Sequence, residues 1–568
     1  MAAGRRGRLL VLLLAALVPI VVYWPSTGYG FLLDDTVLFQ KSASLDDVGS
    51  IPRGFLTDVG ALRKGAPAPI SSYYRPVFLT LSTLYYQIAG GRPFAWHLAA
   101  VALAGLIGAL ACGWFLRLGF APAVAFLASA VYSLHPAHVS SVAWASGLQE
   151  LLAACFVLLA LLAATWRRDA ERDTLPLAAA GVAYALALLS KEIAAALLPF
   201  AALWALAVRR DDPPAARRLW RLTAVLAAIT GVYLMVRVAV LGGLAQAPEN
   251  APRLAAALTA VPVALATYLR LLLWPAGFGF FRPERPSFAP LDPAVLAAAA
   301  VVAALAVAGA WAWRRRSPLA LPVAWFVVWL LPVLNLWALA PHYMVTDRYL
   351  FLASLALPWC VALIAPRRFA VAALALLAFL FGALTVRYRA IFANERGFVA
   401  AMEKAEPTSP VIFAEKGRLL LQDGDLAGAR GALERAVALD PLAPGPLLNL
   451  GDLARRQGDL DLAERRYRQA LVVMPYASRP FKLLALDLAR RGERARALAL
   501  VEEGVRRWPR DFEVQLLAAL LRAEAGERRQ AEAAFAAAGS LRPGDPALAG
   551  GLDATLSRLL PTLQPQPR

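Results

Sequence analysis

The residues with the best prospect of doing chemistry are two adjacent carboxylates, Asp34 and Asp35, in the run FLLDD. They lie about ten residues past the first apolar stretch long enough to cross a bilayer. A charge at the hydrocarbon midplane costs roughly 2.5–3.5 kcal/mol on insertion scales, so an acidic pair this close to a span belongs at the water interface. There the pair can accept protons or hold a cation. Two acids that only cap a membrane face are the ordinary alternative, and the pair by itself leaves both readings open.

Other polar residues, far apart in the chain, recur at the edges of apolar runs. His135 and His138 follow one run, Lys191 and Glu192 separate two, Arg237 stands near the end of another, and Asn335, His342, Asp347 and Arg348 surround a further turn. Each has a plain explanation: His135 before Pro136 can end a helix, Lys191 and Glu192 can pair with each other, and Arg348 can snorkel. If the spans bring them to one side of a membrane, together they line an outward cavity.

The elements that must position them are membrane helices. The chain has 568 residues, 60% of them hydrophobic, and a mean hydropathy of +0.56, against roughly 45–50% apolar content in soluble domains. The expected fold class is all-α, a polytopic helical membrane domain with a polar appendage. Much of the net charge of +19 is arginine beside apolar runs, as the positive-inside rule expects, which argues against a nucleic-acid partner and for a lipid bilayer. Cys112, Cys155 and Cys360 fall inside predicted spans, so neither a disulfide framework nor a CxxC metal site is available.

Arg5, Arg6 and Arg8 precede an apolar stretch that ends at Trp24 and Pro25 without a small-x-small cleavage site, which predicts a retained signal anchor and a cytoplasmic N-terminus. Apolar length then predicts eleven crossings, near 8–25, 95–116, 120–136, 142–165, 175–190, 193–208, 217–241, 290–313, 318–338, 347–365 and 368–387. The clusters Arg167/Arg168/Arg172, Arg209/Arg210/Arg217/Arg218, Arg314/Arg315/Arg316 and Arg367/Arg368 all then face the cytoplasm. A crossing at 254–274 would move Arg314–Arg316 outside, so that stretch is expected to lie at the outer interface or re-enter, and 76–90 is expected to be an interfacial helix. On this topology the acidic pair, the two histidines, Lys191, Glu192, Arg237 and Arg348 share the outer face.

Beyond the last span the sequence repeats itself. Pro407, Pro441, Pro475, Pro509 and Pro543 are spaced 34 residues apart, as are Gly424, Gly458, Gly492 and Gly526, and Ala429, Ala463, Ala497 and Ala531. Gly at a helix turn, Ala where two helices approach and Pro closing the unit make the tetratricopeptide signature. The organisation is thus a membrane domain over 1–390 with an outer loop at 26–94, a connecting helix at 391–409, four repeats over 410–545, and a capping helix and tail at 546–568. Stacked helix pairs present a concave groove suited to an extended protein or peptide partner. With eleven crossings the repeats share the acidic pair's compartment.

Acids, histidines and cations at an outer leaflet suit a sugar carried on a polyprenyl phosphate. The phosphate needs Arg or Lys, the lipid needs an apolar groove, and the acceptor hydroxyl needs a carboxylate base, which typically contributes about 10²–10⁴-fold.

The runs that hold these residues are GYGFLLDD, YRPVFLTL, RPFAWHLA, LHPAHVSSVAWASG, ALLSKE and TDRYLFLAS. Their order, followed by tetratricopeptide repeats, resembles the transmembrane and tetratricopeptide-repeat-containing (TMTC) family over nearly the whole chain. That family looks like a branch of the GT-C glycosyltransferases and is similar to the protein O-mannosyltransferases. The resemblance implies a GT-C type membrane domain and inverting transfer of mannose or another hexose from a polyprenyl-phosphate donor to hydroxyls of extracytoplasmic proteins. It implies that Asp34 and Asp35 are catalytic, Asp34 as base and Asp35 positioning it. Arg237 and Arg348 become candidates for the donor phosphate, and His135, His138, Lys191 and Glu192 for sugar or acceptor contacts.

The chain departs from that pattern in places. Relatives tend to carry HPVHxEAVAW followed by GRxD, where this chain has Ser140, Leu148 and Glu150 in place of Glu, Arg and Asp. His97 is followed by alanines where relatives often carry HLxN. These losses bear on sugar identity and leave the acidic pair intact. Asp34, Asp35 and Glu192 could offer oxygen ligands to a divalent cation, but no compact metal motif exists and the resemblance favours metal-independent transfer; no metal or cofactor is assigned, and the lipid-phosphate sugar is a substrate. Two alternatives stand beside this reading: a non-catalytic membrane scaffold whose repeats recruit partners, and a GT-C enzyme acting on a glycan or lipid. Heavy Ala, Arg and Leu usage points to a GC-rich bacterial genome, and so to an inner-membrane protein with its site and repeats in the periplasm; in a eukaryote the same topology would face the endoplasmic reticulum lumen.

Overall fold

The computed structural model describes residues 4–40, 45–59, 73–166, 174–243, 254–277, 279, 291–334, 345–364, 366–474, 478–541, 548 and 550–559. Arg167, Arg168, Arg172, Asn335, His342, Pro475 and Pro543 lie outside the described residues. Among the described residues every regular element is a helix. The chain divides into two compact units, one running to Pro407 and the other beginning at Thr408.

In the first unit, proline at the first helical position starts many of the long helices, including Pro76–Ala89, Pro93–Arg117, Pro213–Leu241 and Pro293–Arg314. Its fixed φ suits a first turn, where its missing N–H would have no partner anyway. Asp212 and Asp292 cap the last two by accepting from Ala215 N at 2.9 Å and Ala294 N at 2.8 Å. Among the described residues six helices are long and apolar enough to cross a membrane, and a seventh span results if the pair Asp347–Ala353 and Ala356–Ile364, bent by 45°, is counted as one.

The other four predicted crossings form shorter helices: Pro122–Ser133, Thr174–Ser190, Glu192–Val208 and Ala320–Val333. At about 1.5 Å per residue a helix needs about 20 residues to cross the hydrocarbon. Pro122–Ser133 stops ahead of Pro136, short of the run predicted at 120–136, and the α-helix Ala320–Leu330 gives way to a tighter turn at Pro332 within the run predicted at 318–338. Thr174–Ser190 and Glu192–Val208, by contrast, match their predicted runs with Lys191 between them. The stretch expected at the outer interface forms the helix Leu254–Leu273, with Pro262 inside it.

Burial separates central helices from peripheral ones. In the span Ala145–Ala164, 67% of the apolar window is buried, and in Pro93–Arg117 56%, against 11% in Pro293–Arg314. Rings close the core, with Trp114 5.0 Å from Trp359 and 5.7 Å from Trp325, and Phe200 4.8 Å from Trp325. The two central helices hold the turns that carry the polar residues. On another side, Arg316 lies 3.8 Å from Asp211, bringing the arginine-rich turns at 209–218 and 314–316 together.

The second unit is built from four helix pairs: Pro410–Asp423 with Leu426–Leu439, Pro444–Gln457 with Leu460–Val473, Arg479–Arg490 with Arg494–Arg507, and Phe512–Glu524 with Arg528–Leu541. The periodic glycines end the first helix of each pair with φ of +82°, +87°, +79° and +82°, a left-handed turn that an L side chain resists. Ala429, Ala463, Ala497 and Ala531 are all fully buried, so a larger side chain there would push the paired helices apart. Asp425 and Asp459 cap second helices through Gly428 N and Leu462 N. Tyr467, Phe481 and Trp508 fill the space between successive pairs. These are tetratricopeptide repeats, followed by the helix Gly551–Leu559.

Candidate active site

Two backbone features present the acidic pair. Leu33 has φ of +48°, unusual for a bulky side chain, and the chain then makes a wide π-type turn at Thr36–Gln40. Such strained geometry persists only where surroundings over-determine it. Between them Asp34 is exposed and Asp35 is fully buried. The Asp35 carboxylate accepts from Leu32 N at 3.2 Å, from Ser146 N at 2.7 Å and from the Ser146 hydroxyl. Trp144 Nε1 donates to Leu32 O at 3.1 Å and fixes the same loop. Burial pushes the Asp35 pKa up from 3.8 to about 7, opposed by the Ser146 and Leu32 hydrogen bonds and reinforced by the charge of Asp34.

The segment that holds Asp35 continues into a charged cluster. Gln149 Nε2 donates to Ser146 O at 3.2 Å, and Gln149 Oε1 accepts from Arg75 Nη1. The Arg75 guanidinium grips Glu192 in a two-point fork, with Nε 2.9 Å from Oε2, and lies 4.3 Å from the centre of the Tyr73 ring. Lys191 is ion-paired with Glu150, whose Oε1 is also 4.0 Å from Arg348 Nη1. Arg348 sits 5.2 Å over the Trp144 ring, and Lys191 Nζ is 5.6 Å from the Tyr349 ring centre. Burial lowers the Lys191 pKa to about 8 against the pull of Glu150, with Arg75 and Arg348 lowering it further.

Of the residues singled out by sequence, Asp34, Asp35, Lys191, Glu192 and Arg348 therefore meet around the segment 144–150. Lys191 and Glu192 do not pair with each other as the plain reading expected: extended backbone at Lys191, with φ of −161°, sends the two side chains to different partners. Arg237 is buried and donates to Tyr233 Oη at 3.2 Å; the Tyr233 ring lies 6.1 Å from Tyr74, next to Arg75 in sequence.

His135 and His138 are both buried and are spent on the fold. His135 Nε2 is 3.2 Å from Leu272 O, and its Nδ1 accepts from Ala137 N. His138 Nε2 is 3.1 Å from Phe351 O and 2.8 Å from Ser354 Oγ, with its ring stacked on Phe351 at 4.1 Å. Their ring nitrogens tie the 134–142 turn to neighbouring helices.

Sequence reasoning gave no role to Arg75, Ser146, Gln149 or Glu150. Glu150 carried a usable signal, a carboxylate inside an otherwise apolar run. It retains an acid where the chain departs from the family pattern, while Ser140 and Leu148 are buried. Among the described residues no group of three or more His, Cys, Asp and Glu side chains is close enough to hold a metal ion.

No family model matches the chain, and no curated protein matches it. Solved structures similar to it are helical-repeat proteins. YrrB, described as a TPR protein with an unusual peptide-binding site, shares 15% identity over 26% of this chain and 78% of its own, with a TM-score of 0.22. The APC/C hetero-tetramer Cut9–Hcn1 shares 15% over 85% and 90%, with a TM-score of 0.26. Yeast Tom70 shares 12% over 80% and 94%, with a TM-score of 0.19. Superpositions this loose carry no argument, and the repeats rest on their own period and helix pairs.

Proposed function

We propose that this chain is an integral-membrane glycosyltransferase of GT-C type that moves a sugar from a polyprenyl phosphate to a hydroxyl of an extracytoplasmic protein. The observation that carries the proposal is the continuous polar chain Asp35–Ser146–Gln149–Arg75–Glu192, held at one end of membrane helices with Lys191, Glu150 and Arg348 beside it. Buried charges cost several kcal/mol each to desolvate, and a site that binds a charged donor gives a reason to keep them.

The chemistry assigns one task to each part. The acceptor oxygen attacks the anomeric carbon, its proton passes to the exposed Asp34 carboxylate, and the bond from that carbon to the phosphate oxygen breaks with inversion. The lipid phosphate leaves with the bonding pair and gains negative charge, which the partly exposed Arg348, supported by Lys191 and Arg75, is placed to stabilise. Asp35, ionised, keeps Asp34 basic. Arg237 is assigned to the lipid-phosphate side and Glu192, through its exposed edge, to the sugar; His135 and His138 are assigned to the fold.

The four shorter apolar helices complete the eleven crossings, with the contact between Arg316 and Asp211 supporting a common cytoplasmic face for two arginine clusters. That topology leaves the repeats in the compartment of the acidic pair, where their groove would hold the acceptor chain. Incubating purified protein with candidate polyprenyl-phosphate sugars and an extract of extracytoplasmic proteins, then mapping added hexose by mass spectrometry, tests the reading. Hexose on Ser or Thr that requires Asp34 supports it. Partner capture by the repeats without sugar transfer from any donor favours the scaffold.

A further inference from the structure

We infer that Ser146 is a positioning residue for the acidic pair, and the junction through which the cation cluster is held in register with it. The inference rests on the glycosyltransferase reading only for its kinetic consequence. Ser146 is 2% exposed and makes three polar contacts through its N–H, its hydroxyl and its carbonyl. Its N–H and its hydroxyl both donate to Asp35 Oδ1, and its carbonyl accepts from Gln149, which holds Arg75. Ser146 thus bonds to the acidic pair through its N–H and hydroxyl and to a residue gripping the cluster through its carbonyl.

The local backbone exists to put Ser146 there. Gly147 N donates to Trp144 O at 2.9 Å, closing a tight turn between Val142 and the helix Leu148–Ala164. That turn folds back so closely that a Cβ on Gly147 would stand 2.3 Å from Ser141 O and 2.6 Å from Ser141 Cα. Any side chain there displaces the turn and withdraws Ser146 from Asp35. The charged and titratable groups around Asp35 are Asp34 on its own turn, and Glu150, Lys191 and Arg348 around the segment that carries Ser146. His97 is bonded to Gly30 O on the same loop. The hydrogen bonds to the Asp35 carboxylate come from Ser146 and Leu32.

Two donors on one carboxylate oxygen favour its ionised form, so losing the hydroxyl moves the Asp35 proton to higher pH, by about one to two units for a charge-assisted bond. The test compares Ser146→Ala with Ser146→Thr in the full-length protein. The carboxyl C=O infrared band is titrated, with Asp35→Asn used to assign it, and sugar transfer is followed across pH.

The expected result is a Ser146→Ala midpoint raised by about one to two pH units, transfer at pH 7 reduced by about tenfold or more, and both restored in Ser146→Thr. An Asp35 band whose midpoint is the same in folded Ser146→Ala and in the unmutated protein overturns the inference, whatever the transfer assay gives. A raised midpoint in a protein that transfers no sugar from any donor upholds the positioning role and removes the glycosyltransferase reading instead. Should Ser146→Ala not fold, the Thr variant decides: a midpoint it fails to preserve counts against the hydroxyl's role.

Discussion

Arg75 in the first, apolar unit and Arg496 in the repeats each hold more than one acceptor, yet Arg75 has 6% of its side chain exposed and Arg496 46%. Arg75 grips Glu192 and Gln149 in a setting where Arg75 itself, Lys191 and Glu150 are buried. Arg496 reaches Glu493, Asp461 and Glu464 on a wet surface, one of several pairs linking successive repeats. Exposed pairs are worth about 0–1 kcal/mol and replacing a buried pair with apolar side chains is often neutral or better, so folding alone gives little reason to keep Arg75, Glu150 and Lys191 buried. The surface pairs read as solvation and register; the buried ones read as a site.

Mutations can break that contrast in order of size. Glu150→Ala removes the partner of a buried Lys191 and a neighbour of Arg348, and is expected to destabilise the protein by about 3–5 kcal/mol in detergent unfolding. A loss under about 1 kcal/mol would make the cluster equivalent to the surface pairs.

The pH dependence of Asp35→Asn comes next. The folded-state pKa of Asp35 is raised to about 7, so its contribution to stability is fully present below about pH 4 and lost as pH rises through 7. The thermal midpoint of Asp35→Asn relative to the unmutated protein should therefore climb between pH 4 and pH 8. A flat difference would mean that Asp35 is solvated. In the repeats, Ala463→Leu overpacks a fully buried contact and is expected to cost about 1–3 kcal/mol, read as an earlier transition of the repeat unit. Arg496→Ala should change the unfolding free energy by at most about 1 kcal/mol.

The same contrast explains what was legible in the sequence. The repeats announce themselves because one small unit recurs, so the glycine at each turn and the alanine at each helix contact appear four times at the same offset. The first unit has no such redundancy. Its apolar runs report hydrophobicity alone, so apolar length predicts longer helices than form ahead of Pro136 and Pro332, while on either side of Lys191 the helices match the runs.

At the site, Asp34 and Asp35 stand out as acids near a span, and Lys191, Glu192 and Arg348 as charges between apolar runs. Arg75, Ser146 and Gln149 are ordinary outer-loop or helix-start residues until tertiary structure supplies partners that are 117, 111 and 74 positions apart in the chain. The histidines mislead for the converse reason. An imidazole between apolar runs looks functional, yet burial against Leu272 O and Phe351 O makes it a packing group.

The most direct test of the central claim is sugar transfer by purified protein carrying Asp34→Asn, Asp35→Asn or both, with folding checked by thermal unfolding. The account predicts variants that fold and a transfer rate about 10²–10⁴-fold lower for Asp34→Asn, with the double variant no faster. Undiminished transfer by the folded double variant would contradict it.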